Sequence, residues 1–255
     1  MASVEKARKE LSLTELMERV EGARPRNDFG ARLLRTTGEP LKIIAEIKRA
    51  SPSKGLIAGG INPADVAREY LQGGASAISV LTEESYFKGS VSDFQLVRGT
   101  VPEMPLLRKD FIVDEYQIYE SVLIGADAIL LIVAALDHNA LSRYIALSGQ
   151  LGLSALVEVH AEEELDAALS GGAAIIGVNN RNLVTFEVSP KASEKIAARI
   201  PPGVVSVSES GISGLEGLRA AAELGYHAVL IGEHFMRATD RAGEVRKLAR
   251  QAGAP

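Results

Sequence analysis

The sequence predicts an α/β protein, a (β/α)8 barrel with an N-terminal helical extension. Short apolar or β-branched runs alternate with longer stretches of helical period, and eight such runs follow the first forty positions of a 255-residue chain. Strands separated by helices at this spacing make βα units and a parallel sheet. Eight units with an extension match the roughly 250 residues typical of such a barrel. A further observation favours closure over an open, doubly wound sheet. No GxGxxG follows the first strand, where an open dinucleotide-binding sheet carries it.

The extension, residues 1 to about 40, comes first. Leu13, Leu16, Met17 and Val20 recur at helical spacing, with Ser12 and Glu15 placed as a capping box, which predicts a short amphipathic helix. The run DFGARLLR, residues 28–35, predicts another. These helices are expected to pack on one end of the barrel, so that residues 1–255 form a single domain; a lid over the site is a compatible use.

The strands follow as IIAEI (43–47), AISVL (77–81), PLLRK (105–109), AILLIV (128–133), ALVEV (155–159), AIIGV (174–178), VVSVS (204–208) and AVLIG (228–232). Between them, Val66, Tyr70 and Leu71, and then Tyr116, Tyr119 and Leu123, mark apolar helix stripes. Helix starts are signalled by Asn62 before Pro63, by Asp114 before EYQIYESVL, and by SGLE, from Ser213 to Glu216, which reads as a capping box.

Composition excludes several classes. A net charge of −5 with scattered Lys and Arg leaves no electrostatic footprint for nucleic acid. The absence of cysteine removes disulfides, thiolate metal sites and thiol nucleophiles. His138, His160, His227 and His234 lack close ligand spacing and read as surface or helix-end residues, so no metal site is expected. The opening MASVEKARKELS carries charges where a signal peptide needs an apolar core, and no run approaches a membrane span. A soluble, cytoplasmic protein without a membrane partner is expected.

Barrel active sites lie at the C-terminal ends of the strands, and here polar residues gather at those ends. Glu46 and Lys48 end the first strand, Lys109 and Asp110 the third, and Glu158 the fifth. Asn179, Asn180 and Arg181 end the sixth, and Glu209 and Ser210 the seventh. Interior side chains stack in layers contributed alternately by odd and even strands. Glu46, Lys109, Glu158 and Glu209 all belong to odd strands, so they converge at one height over the axis. Lys48, two residues past Glu46, shares its face and sits nearer the mouth. A lone charge at a strand end is an ordinary loop residue. Several on one interior face suit general acid and base chemistry, with each pKa set by its neighbours.

Glycine-rich turns follow the last two strands: SESGISG, with Ser210 and Gly211, and IGEHFM, with Gly232 and Glu233. Barrels commonly bind phosphate there through backbone N–H groups, although a plain turn has the same composition. Phe111, Leu131, Leu183 and Ile231 stand at or near strand ends, and Pro52 lies in the first turn. They are candidates for an apolar wall around an aromatic group.

The runs IIAEIKRASPSKG, LLRKDFIVDEYQIYES, ALVEVH, IGVNNRNL, SESGIS and IGEHFMRA together resemble indole-3-glycerol phosphate synthase, from about residue 5 to about residue 250. The resemblance implies a (β/α)8 TIM barrel of tryptophan biosynthesis. Its reaction turns 1-(2-carboxyphenylamino)-1-deoxyribulose 5-phosphate into indole-3-glycerol phosphate, releasing CO₂ and water with no cofactor. It also implies roles residue by residue. The family's catalytic lysine falls on Lys109, its first-strand acid and lysine on Glu46 and Lys48, and its fifth-strand glutamate on Glu158. Asn179, Glu209 and Ser210 match further catalytic positions. The phosphate loops fall on Gly211 and on Gly232 with Glu233, and Ser51 and Arg181 match further substrate positions. The expected partner is this small phosphorylated substrate, with the protein a monomer or weak homo-oligomer.

Two other readings suit the same residues. A Schiff-base sugar-phosphate lyase would use Lys109 as nucleophile. A non-catalytic barrel binding a phosphorylated metabolite would keep the glycine turns but have no need of the strand-end acids and lysines.

Overall fold

The computed structural model describes residues 2–23, 25, 27–36, 38–182 and 185–251. Among them, eight parallel strands close on themselves: β1 (Lys42–Ile47), β2 (Ala77–Leu81), β3 (Leu106–Lys109), β4 (Ala128–Ile132), β5 (Ser154–Val159), β6 (Ile175–Asn179), β7 (Val205–Glu209) and β8 (Ala228–Ile231). β1 closes the ring by pairing with β2 at Ile44↔Ala77 and with β8 at Ile43↔Val229. The barrel expected from the alternation is thus the fold.

Helices follow the strands in turn: α4 (Pro63–Gly73), α5 (Val91–Thr100), α6 (Glu115–Leu123), α7 (His138–Gln150), α8 (Glu162–Ser170), α9 (Lys191–Ala197) and α10 (Leu215–Glu223). After β8 come α11 (Glu233–Arg237) and α12 (Arg241–Gln251). Because strand side chains alternate, each strand serves two cores. Ile44, Leu107, Leu130, Leu156, Val207 and Leu230 fill the barrel interior. Ile43, Val80, Leu131, Val157, Ile176 and Ile231 pack against the helices.

Among the described residues, three helices precede the barrel: α1 (Ala2–Glu10), α2 (Leu13–Val20) and α3 (Phe29–Leu33). The Ser12–Glu15 capping box of α2 is formed, with the Glu15 N–H donating to Ser12 Oγ at 3.3 Å and the Ser12 N–H to Glu15 Oε2 at 3.0 Å. Asp28 caps α3 by accepting the Ala31 N–H at 2.8 Å. α3 buries Phe29 and Leu33 in the same interior core as Ile44, Ala77 and Ala228, so it plugs the N-terminal end of the barrel. Burying two such side chains contributes about 1.5–3 kcal/mol each. The same face is tied by polar contacts. Asp127 accepts the Asn27 N–H at 3.0 Å and the Leu106 N–H at 2.8 Å, and pairs with Arg98. The Arg35 Nε donates to the Tyr226 carbonyl at 2.7 Å.

Several local expectations change. α1 has no counterpart in the sequence reading, because ASVEKARKE is charged around most of its circumference; Val4 is buried on it. Asn62 and Asp114 cap α4 and α6, accepting from the Ala64 and Tyr116 N–H groups. The SGLE box is not formed: α10 starts at Leu215 behind Gly214, one residue too late for Ser213 to be its cap. Leu71 and Leu123 are exposed: each stands one position past a buried residue, Tyr70 and Val122, and so faces about 100° away from it, because the buried side of α6 runs through Ile118, Ser121 and Val122 rather than through Tyr119 and Leu123. Val133 leaves β4 and begins a 3₁₀ turn, Val133–Ala135.

Candidate active site

Residues two apart share a strand face, so Ile44 in the interior puts Glu46 and Lys48 above it on the same side. Register carries the pattern round the barrel. Glu158 pairs with Ile132 on β4 and Gly177 on β6, while Glu209 pairs with Asn179 on β6. The carboxylates of Glu46, Glu158 and Glu209 are all nearly fully buried, each at most 5% exposed.

Lys109 stands between two of them. Its Nζ donates to Glu209 Oε2 at 2.6 Å and to Glu158 Oε2 at 3.1 Å. Lys48 Nζ lies 2.5 Å from Glu46 Oε1. Three carboxylates therefore share two ammonium groups. Burial works against the charge on Lys109, but Glu209, Glu158 and Glu46 outweigh it and raise its pKa, keeping the ammonium. Burial also pushes Glu158 up, yet Lys109, His160 and a bond from Asn179 hold its carboxyl below the usual range. The cost of the excess negative charge falls on Glu209. Burial and the nearby Glu158 push its pKa up to about 7 despite Lys109.

Glycines make this crowding possible. A Cβ on Gly177 would fall on Glu209 Oε1, and one on Gly232 would fall on Glu46 Oε1 and Lys48 Nζ. The sequence reading missed Gly177, and it gave Gly232 only a phosphate role.

Other predicted residues line the same end. Asn179 Oδ1 accepts the Arg181 N–H at 3.0 Å, fixing the turn after β6. Arg181 reaches across the mouth: its Nη1 donates to Ser53 Oγ at 3.2 Å and to the Phe186 carbonyl at 3.0 Å. Ser51 is half-buried in a small antiparallel pairing, Ala50–Ser51 against Gly55–Leu56, that shapes the loop after β1. Phe111 is exposed, with its ring 6.4 Å from that of Phe87. Ser210 and Gly211 take left-handed backbone in succession, φ 65° and 81°, making a tight turn at the end of β7. Gly232 stands at the start of α11, whose Glu233 carboxylate turns along the helix to Arg237 at 3.0 Å.

Two predicted wall residues are misplaced. Leu131 and Ile231 face the helices rather than the interior, because each is one position out of phase with the inward set. Ile132, the strand partner of Glu158, and Leu230 take the inward places. Pro52 is exposed in the first loop, and Leu183 lies outside the described residues. Sequence reasoning also passed over His160, whose imidazole borders Glu158; its signal was its place two residues beyond an inward glutamate. Among the described residues, no group of three or more His, Asp or Glu is arranged to hold a metal ion.

A family model described as indole-3-glycerol phosphate synthase matches residues 1–248. Enzymes of that name are similar over most of their length. The one from Acetivibrio thermocellus is 50% identical over 224 residues, 88% of this chain and 85% of its own. That from Dehalococcoides mccartyi is 45% identical over 251 residues, 97% and 96%. Among solved structures, 3-hexulose-6-phosphate synthase from Salmonella typhimurium has a TM-score of 0.67 at 14% identity, covering 83% of this chain and 98% of that one. Thiamine phosphate pyrophosphorylase from Pyrococcus furiosus has a TM-score of 0.63 at 17% identity, covering 85% and 98%. At those identities the likeness is one of fold alone. Whole-length agreement with the family, together with the charged strand ends, leads to one conclusion: the chain belongs to the indole-3-glycerol phosphate synthase family.

Proposed function

We propose that the buried row of charges carries out the synthase reaction on 1-(2-carboxyphenylamino)-1-deoxyribulose 5-phosphate. The observation that carries this reading is the Lys109 ammonium held between Glu158 and Glu209. In ring closure, the aromatic carbon bearing the carboxylate attacks the sugar carbonyl, and Lys109 gives a proton to the alkoxide that develops. Loss of CO₂ then returns an electron pair to the ring and restores its aromaticity. Dehydration needs an acid for the departing hydroxyl and a base for the adjacent C–H. Glu158, held as a carboxylate, serves as that base and stabilises the anilino nitrogen. Lys48, with Glu46 beside it, grips the substrate carboxylate and supplies the second acid.

Glu46 and Glu209 orient the lysines and sugar hydroxyls, and Asn179 steadies Glu158. The turn at Ser210 and Gly211 and the start of α11 at Gly232 and Glu233 receive the phosphate, with Arg181 and Ser51 closing the mouth. Phe111 and Ile132 form the apolar wall. A Schiff-base role for Lys109 is disfavoured, because an amine kept protonated by two carboxylates is no nucleophile.

Residues 1–255 are read as one domain, with 1–40 packed on the barrel, acting as a cytoplasmic monomer or weak homo-oligomer. In support, among the described residues no helix is long and apolar enough to cross a membrane. The deciding experiment incubates the purified protein with the carboxyphenylamino substrate and follows indole fluorescence. Absence of signal at high enzyme concentration would remove this reading.

A further inference from the structure

The row of charges does not stop at Glu158. His160 follows β5 directly and lies two residues past Glu158, on the same inward side. Its Nε2 approaches Glu158 Oε1 at 3.4 Å, and its Nδ1 lies 3.3 Å from Glu164 Oε2 on α8. That same Glu164 oxygen accepts the His160 backbone N–H at 2.6 Å. The Glu164 carboxylate is thus locked against both the backbone and the ring of His160. The imidazole Nε2 is buried and makes no hydrogen bond, so its approach to Glu158 Oε1 is an electrostatic one.

The two oxygens of Glu158 therefore serve different neighbours: Oε2 faces Lys109 and Oε1 faces His160. Read across the barrel end, Glu164, His160, Glu158, Lys109 and Glu209 alternate in charge whenever the imidazole is protonated. Building on the synthase reading, we propose that His160 is a positioning residue: as an imidazolium between Glu164 and Glu158, it keeps Glu158 ionised and turned toward Lys109.

The charged groups around the ring favour this state. Glu158 on its own strand and Glu164 on α8 are negative, Glu209 on β7 becomes so once it loses its proton near pH 7, and Lys109 on β3 is positive. Burial disfavours the imidazolium most, but the bond to Glu164 and the charges of Glu158 and Glu164 outweigh it and raise the pKa of His160. A positive neighbour favours the carboxylate, so removing it raises the pKa of Glu158 and moves to higher pH the point at which the base becomes available.

The test uses the full chain with His160→Gln and Glu164→Gln. Rates are measured from pH 3.5 to 9 at saturating and limiting substrate, alongside an imidazole NMR titration in which the His160 signal is assigned by its connectivity to the backbone. In H160Q, kcat is expected to fall, KM to stay close to that of the parent, and the acid limb of kcat to move up by about one pH unit. In E164Q, the His160 titration should move to lower pH, and the acid limb should move the other way, upward, by a smaller step than in H160Q. A merely structural histidine would lower the amount of folded enzyme and leave the normalised profile in place. Superimposable profiles for H160Q and the parent would overturn the proposal. If H160Q does not fold, E164Q decides, because it retains the ring: an unmoved His160 titration would overturn the proposal equally. A parent protein without indole-forming activity would instead overturn the synthase reading, while the NMR titration still tests the coupling of His160 to its two carboxylates.

Discussion

Lys109 and Glu209, 100 residues apart in the chain, meet across the barrel end in a 2.6 Å bond between Nζ and Oε2. Removing the amine does two things at once. Lys109→Ala takes away the acid for ring closure, and turnover should fall by at least about 100-fold, the usual size of a general acid effect. It also leaves Glu158 and Glu209 buried without the ammonium between them, which costs about 3–5 kcal/mol when both are ionised. The folded variant should therefore be less stable in urea at pH 8 than at pH 5.5, where a carboxyl can take a proton. A variant as stable as the parent at both pH values would contradict the shared-charge description.

Glu209 offers the converse experiment. Its folded pKa, about 7, stands above the roughly 4.3 of an unfolded chain. The folded state thus holds a proton that the unfolded state has lost, and stability declines as pH rises between those two values. Glu209→Gln keeps an acceptor for Lys109 but removes the titration. Its unfolding free energy should be flatter across pH 5–7 and exceed that of the parent at pH 8, while turnover drops. Parallel stability curves for the two proteins would argue against a raised Glu209.

Neighbouring residues on β4 should separate binding from stability. Ile132 faces the interior beside Glu158, whereas Leu131 is fully buried against the helices. Leu131→Ala is expected to cost about 2–5 kcal/mol of stability with little change in KM. Ile132→Ala should raise KM for the aromatic substrate. Equal KM values for the two variants would remove Ile132 from the wall.

At the opposite end of the barrel, Asp127 accepts from Asn27 and Leu106 and pairs with Arg98. Asp127→Ala leaves the Arg98 guanidinium without this carboxylate in a buried site, at a cost of about 3–5 kcal/mol. Because this face lies away from the strand ends that carry the chemistry, kcat of the folded fraction should be unchanged. A large fall in kcat at full folding would show that the two faces communicate.

Much of this was legible in the sequence for a simple reason. Strand side chains alternate, so Glu46, Lys109, Glu158 and Glu209 could be placed on one face by parity alone. The same rule, applied one residue more strictly, excludes Leu131 and Ile231, which were chosen for standing near strand ends. Gly177 was out of reach, since its role exists only against the Glu209 carboxylate folded over it. His160 was hidden because a lone histidine after a strand reads as a surface residue until Glu164 on the next helix is seen to hold it. The SGLE box failed because a four-residue pattern does not fix where α10 begins.

The plug formed by Phe29 and Leu33 bears on the order in which the molecule can assemble. They belong to an interior core to which all eight strands contribute, and Arg35 is bonded to the carbonyl of Tyr226. Residues that leave the ribosome early thus wait for a site that exists only after the last strand has emerged. Loop closure over nearly the whole chain must precede that reward, so folding is governed by non-local contacts and is slow for its size. Until then Phe29 and Leu33 are exposed apolar side chains on a nascent chain, the kind of surface that chaperones cover.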